Sequence, residues 1–159
     1  MISILFVCTA NRFRSPLAAL HFAREVVRHG QDQDIRVSSA GTWTRSGQPV
    51  MPKALELAER YQLNLSLHKS RPVNAKILSQ ADLILVMEAN HKEAINQEFP
   101  KYKDHVYLFS KAAGFAPFDV PDPYSSDEPA RVVAEEIIDM IDQGYDKIIQ
   151  LADKMGENK

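Results

Sequence analysis

Thiol chemistry is confined to one position in this chain of 159 residues, Cys8. A lone cysteine excludes an intramolecular disulfide framework and a cysteine-built zinc site, and it fits a reducing compartment. A dominant charge sign is also missing. The 19 Lys and Arg against 21 Asp and Glu leave a formal net charge of −2, which argues against nucleic acid or a membrane surface as a bulk electrostatic partner. No apolar run approaches membrane-spanning length. The apolar stretch Ile2 to Val7 is too short for a secretory core, and no basic segment precedes it. The expectation is a cytoplasmic protein, a monomer. Repeats, low-complexity tracts and linker-like stretches are absent as well, so residues 1–159 read as a single domain.

What is present is concentrated in Val7-Cys8-Thr9-Ala10-Asn11-Arg12-Phe13-Arg14-Ser15-Pro16. A thiol is a weak nucleophile until deprotonated, and cationic neighbours or a helix N-terminus promote the thiolate. Ser15 reads as an N-cap and Pro16 as the first helical residue. The loop therefore empties into a helix N-terminus, which favours anions. Its length lets the N–H groups of Thr9, Ala10, Asn11, Arg12, Phe13, Arg14 and Ser15 curl toward one point. The planar fork of Arg14 can close that ring on two phosphate oxygens. This is a candidate phosphate-binding loop with a cysteine nucleophile at its centre. The bland alternative is that Cys8 is a small buried hydrophobe at a strand end.

The remaining pattern supplies a frame. Strands are expected at Ile2–Val7, Ile35–Ser39, Ala81–Met87 and His105–Phe109, the first and third as apolar runs buried on both faces. Helices are expected at Ser15–His29, Met51–Tyr61, Val73–Gln80, Glu88–Glu98 and Asp127–Met155. In the first of these Leu17, Leu20, Ala23 or Arg24, and Val27 share a face. In the last, Gly144 is a weak point, and Gly156–Lys159 is a frayed end. Alternating strands and helices predict an α/β fold: a four-stranded parallel sheet with helices on both faces, flavodoxin-like and doubly wound. Ligands bind such sheets beyond the carboxyl ends of the strands. That edge gathers Cys8–Ser15, Ala40–Pro49, Met87–Asn90 and the long loop Ser110–Ser126.

A phosphate ester needs a proton for its leaving oxygen. On the late loop, Asp122 sits between Pro121 and Pro123, which restrict its backbone. Repulsion from a bound phosphate dianion would favour its protonated form. Asp119 is the competing candidate, and either residue could simply form a turn.

With Cys8, Arg14 and Asp122 identified, the chain resembles the low-molecular-weight protein tyrosine phosphatases over nearly its whole length. Phe6-Val7-Cys8 through Arg14-Ser15-Pro16, Ser39-Ala40-Gly41-Thr42, His68-Lys69-Ser70-Arg71, Ala81 to Met87 and Asp119 to Tyr124 carry the resemblance. It implies a phosphatase I-like fold and hydrolysis of protein phosphotyrosine through a cysteinyl-phosphate, with inorganic phosphate as product and no cofactor or metal. It implies Cys8 as nucleophile, Arg14 as phosphate clamp and Asp122 as general acid, then base. Ser15 would donate to the Cys8 sulfur, and Asn11 would prop the loop through Ser39 and His68. Trp43 and Tyr124, with Arg12, would wall the cleft. From topology alone His68 reads as a solvent-facing loop histidine, and Trp43 as core or interface.

Three departures from the family pattern stand out. Ala10 replaces a glycine, which strains the loop only if φ there is positive. Phe13 replaces a second loop cysteine, leaving Cys8 without a partner for a protective disulfide. Arg12 replaces an aliphatic or small residue, and it either attracts an acidic phosphopeptide or a second phosphate, or points away into solvent. The competing functions are a phosphoarginine or small-metabolite phosphatase and a non-catalytic phosphate-binding module. Arsenate reductase shares the scaffold but needs further cysteines that this chain lacks.

Overall fold

The computed structural model describes residues 1–158. Its strands are β1 (Ile2–Cys8), β2 (Ile35–Gly41), β3 (Leu83–Val86) and β4 (Val106–Leu108). They form one parallel sheet in the order β2-β1-β3-β4. The helices are α1 (Arg14–Arg28), α2 (Pro52–Glu59), α3 (Ala75–Ser79), α4 (Ala89–Glu98), α5 (Phe109–Ala112) and α6 (Ala130–Glu157), with a 3-10 turn at Pro100–His105. This is the expected α/β architecture.

β1 lies between two neighbours, and this explains its unbroken apolar run. Side chains alternate across a strand, so Ile4 and Phe6 enter one core while Leu5 and Val7 enter the other. The first core is the larger. Phe6 meets Phe22 of α1 at 5.7 Å and Phe109 of α5 edge-on at 5.4 Å, and Ile137, Ile141 and Ile148 of α6 close it. The second holds Ile84, Val86, Ile95 and Val106.

Several sequence expectations need correction. α1 starts at Arg14, and Phe13 rather than Ser15 is its N-cap; the Ser15 hydroxyl is engaged elsewhere. The buried face of α1 carries Leu17, Ala18, Phe22 and Val26, whereas Val27 is 61% exposed. At 3.6 residues per turn Val27 stands about 180° around the helix from Ala18. Phe109 begins α5 rather than ending a strand, so the late connection is partly helical. α6 starts after Pro129, because a residue preceding proline is pushed out of helical geometry. α6 runs unbroken through Gly144, where a Cβ would lie 2.5 Å from Ala113 Cβ, so the glycine sits where α6 closely approaches the end of α5. Gly156 and Glu157 remain helical; Lys159, read as part of the frayed end, lies outside the described residues. No described helix is long and apolar enough to cross a membrane.

Candidate active site

The loop between β1 and α1 is pinned on both sides. Thr42 N–H donates to Cys8 O at 2.9 Å and Trp43 N–H to Thr9 O at 3.0 Å, while Met87 N–H donates to Val7 O at 3.0 Å. The carboxyl ends of β2 and β3 thus fix where Cys8 emerges. Its sulfur is 2% exposed by residue and lies 3.0 Å from Ser15 Oγ. Asn11 N–H also points at it, at 3.3 Å.

Asn11 is the keystone of the curl. It is fully buried with φ +57°, a left-handed conformation that asparagine tolerates better than most residues. Its Nδ2 donates to Ser15 Oγ at 2.8 Å and to Ser39 Oγ at 2.9 Å. Its Oδ1 accepts from Arg71 N–H at 3.1 Å, and its carbonyl faces His68 Nε2 at 2.7 Å. That nitrogen must therefore carry a proton. Burial, and secondarily the Arg71 charge, hold the His68 pKa below its ordinary value against the opposing effect of this bond. His68 is thus turned inward onto the loop, unlike the solvent-facing histidine that topology alone suggests. Because Ser15 Oγ accepts from Asn11, its own proton is free for the sulfur, which is closer than Ala40 O at 3.4 Å. Ala10, in contrast, does not have positive φ. The strain falls on Asn11, and the alanine is accommodated.

Arg14 is 2% exposed. One terminal nitrogen, Nη1, donates to Glu88 Oε2 and to Val120 O, both at 2.8 Å. The other, Nη2, makes only a long contact to Thr9 Oγ1 at 3.4 Å and lies 4.0 Å from Asp122 Oδ2. Nε and Nη2 therefore retain donor capacity along one edge of the guanidinium. Val120 N–H is bonded to Met87 O at 2.9 Å, which ties the late loop to the end of β3.

The two competing aspartates separate here. Asp119 Oδ1 accepts from Ala89 N–H at 2.9 Å and locks the start of α4. Asp122 lines a cleft of about 140 Å³ together with Cys8, Arg12, Arg14, Met51 and Tyr124. Its Oδ1 accepts from Tyr124 N–H at 2.9 Å. Tyr124 meets Phe13 edge-on at 6.1 Å, and burial, then the Asp122 charge, raises its phenol pKa. Trp43 stands outside this cleft, 84% exposed. Its pegging to Thr9 puts the indole in an adjacent groove with Ala10 and Arg12, and Met51 takes the wall position instead. Arg12 lines both cavities.

Glu88 and His91 complete the site without having been singled out from the sequence. His91 Nδ1 accepts from Glu88 N–H at 3.1 Å, and its Nε2 lies 2.8 Å from Thr9 Oγ1. Burial, reinforced by the Arg14 charge, lowers its pKa to about 4, so a neutral ring donates from Nε2 to the threonine. The only signal was their place just past β3 on the ligand-bearing edge, three residues apart at a helix start.

The chain is similar to known proteins over most of its length. The family described as low molecular weight phosphotyrosine protein phosphatase matches residues 3–158. A probable low molecular weight protein-tyrosine-phosphatase, EpsP, from Ralstonia nicotianae is 31% identical over 144 residues, 91% of each chain. A protein-arginine-phosphatase from Bacillus subtilis is 33% identical over 121 residues, 76% of this chain and 79% of its own. Among solved structures, a low molecular weight protein tyrosine phosphatase from T. tengcongensis superposes with a TM-score of 0.83 at 32% identity, covering 92% of this chain and 99% of that one. A match of this extent, on a fold whose loop, clamp and late aspartate converge, makes the chain a member of the low molecular weight phosphotyrosine protein phosphatase family.

Proposed function

We propose that this phosphatase hydrolyses phosphotyrosine in proteins through a cysteinyl-phosphate, with Cys8, Arg14 and Asp122 as its catalytic residues. The observation that carries the reading is the convergence of these three side chains on one cleft. Cys8 Sγ, as thiolate, attacks phosphorus in line with the ester oxygen. The free edge of Arg14 and the N–H groups of the loop hold the equatorial oxygens where charge spreads. Asp122 gives its proton to the departing phenolic oxygen. Water then attacks phosphorus as Asp122 takes a proton from it, the S–P bond breaks with its electron pair returning to Cys8 as thiolate, and inorganic phosphate leaves. The Ser15 hydroxyl stabilises the sulfur as it departs. Phe13, Met51 and Tyr124 supply an apolar wall suited to a flat aryl group. The reading takes residues 1–159 as one domain, a monomer acting in the cytoplasm and needing no metal.

Turnover of p-nitrophenyl phosphate in the presence of a chelator tests it. Wild type should be active, Cys8→Ser inactive, and Asp122→Asn reduced by about 10²–10⁴. Activity surviving in Cys8→Ser would sink the mechanism. An inactive wild type under reducing conditions would favour a non-catalytic phosphate-binding module.

Phosphoarginine is the second reading, favoured by the likeness to the B. subtilis protein-arginine-phosphatase. Against it, the Arg12 guanidinium on the cleft wall opposes the like charge of such a substrate. Rates on matched phosphotyrosine and phosphoarginine peptides separate the two.

A further inference from the structure

Beside the cleft runs a second, larger groove of about 560 Å³, lined by Ala10, Arg12, Trp43, Arg45 and Gln48 among others. Arg12 is the wall that the two cavities share. Its Nε donates to Pro49 O at 2.7 Å, which anchors the guanidinium while, among the described residues, neither terminal nitrogen has a hydrogen-bonded partner. The carboxylates that pair with cations among the described residues hold Arg14, Arg28, Lys53 and Arg131 instead. Among the described residues neither Arg12 nor Arg45 forms an ion pair; Asp122 shares the cleft with Arg12, but no residue lining the groove is acidic.

The opposite bank is preformed. Ser70 Oγ donates to Arg45 O at 2.6 Å and accepts from Gln48 N–H at 3.0 Å, while Ser70 N–H donates to Gln48 O at 2.8 Å. The segment carrying Trp43 and Arg45 is thereby held against the loop around Cys8. On a chain of net charge −2, two arginines outside any ion pair among the described residues, flanking an exposed indole, make a local positive field at the mouth of the cleft.

We infer that this groove binds the polypeptide flanking the phosphorylated residue, and that Arg12 and Arg45 select substrates with an anionic side chain there, a carboxylate or a second phosphoryl group. The inference rests on the phosphotyrosine reading and deepens it. A phosphotyrosine in the cleft places its neighbouring residues at the cleft mouth, since an extended chain advances only about 3.5 Å per residue. Arg12 meets such a neighbour directly, the Trp43 ring covers its apolar stem, and Arg45 reaches the anion from the other side. Because Arg12 is anchored through Nε and the backbone of Arg45 is held by Ser70, binding has only the Arg45 side chain left to order.

The test separates recognition from chemistry. Binding of Cys8→Ser protein to phosphotyrosine peptides with neutral, glutamate or phosphoserine flanks is measured by fluorescence anisotropy, and turnover of p-nitrophenyl phosphate by wild type is measured alongside. Acidic flanks should tighten binding about three- to tenfold at low ionic strength, the range expected for one or two partly exposed ion pairs. The preference should shrink with added salt. It should fall to within about twofold in the Arg12→Gln and Arg45→Gln variants of the same protein. The glutamate and phosphoserine arms report which anion is preferred. Equal binding of neutral and anionic flanks overturns the inference, as does a preference unchanged by both arginine substitutions. Failure of p-nitrophenyl phosphate turnover counts against the phosphatase reading instead, and leaves the binding comparison to decide the groove.

Discussion

Glu88 Oε2 lies 2.8 Å from Arg14 Nη1, and the arginine side chain is almost wholly buried. The carboxylate occupies one terminal nitrogen and so turns the opposite edge of the guanidinium toward the cleft. Glu88→Ala should therefore leave Arg14 charged but poorly aimed, lowering kcat/KM by about ten- to a hundredfold. Glu88→Gln, which keeps an acceptor oxygen, should lose much less. Steady-state kinetics on p-nitrophenyl phosphate decide it, and equal losses in the two variants would show that charge rather than aim is what Glu88 provides.

Asn11 combines a left-handed backbone with four hydrogen-bonded connections to Ser15, Ser39, Arg71 and His68. Asn11→Ala removes the side-chain bonds and keeps the awkward φ, so a loss of about 2–4 kcal/mol is expected in urea melts. Asn11→Gly relieves the backbone but not the lost bonds. It should be more stable than Asn11→Ala and still strongly impaired in turnover. Wild-type activity in Asn11→Gly would show that the side-chain contacts are dispensable.

His91 makes stability depend on pH. Folded, its pKa is lowered to about 4; unfolded, it returns to its ordinary value of 6.5. As pH falls through that window the unfolded chain takes up a proton that the folded one refuses. The contribution is full above about 6.5 and is lost progressively toward 4, by up to about 3 kcal/mol. His21 and His68, also lowered chiefly by burial, act in the same direction. His91→Gln should flatten the pH slope of stability between those limits, as read from urea midpoints. A slope identical to wild type would contradict the buried neutral ring.

Gly144 presses on Ala113. A methyl group there would come within 2.6 Å of the Ala113 carbonyl as well as 2.5 Å of its Cβ. Glycine to alanine within a helix normally gains close to 1 kcal/mol. Here the clash should outweigh that gain, and Gly144→Ala should destabilise by about 1–3 kcal/mol in thermal or urea denaturation. A more stable variant would mean that α5 and α6 can separate freely.

The sequence makes legible what is local and what topology alone dictates. Cys8, Arg14 and Ser15 lie close together in sequence where β1 ends and α1 starts, and the parallel sheet brings Asp122 to them from well downstream in the chain. Roles that depend on three-dimensional neighbours were harder to see. Glu88 and His91 look like an ordinary helix start until Arg14 and Thr9 lie against them. Ser15 reads as a cap because serine before proline usually is one, yet its hydroxyl faces sulfur. Trp43 was assigned to the cleft by resemblance, and the pegging of its backbone to Thr9 carries it to the next groove. The buried face of α1 departs from the expected one because steps of three residues drift against a 3.6-residue turn.

β1 comes first among the four described strands, but its neighbours are residues 35–41 and 83–86, and Arg14 finds a carbonyl partner at Val120. During synthesis Cys8 therefore emerges long before the residues that surround it, and the proposed site can assemble only once Val120 has followed. Contacts of such sequence separation form late and slowly.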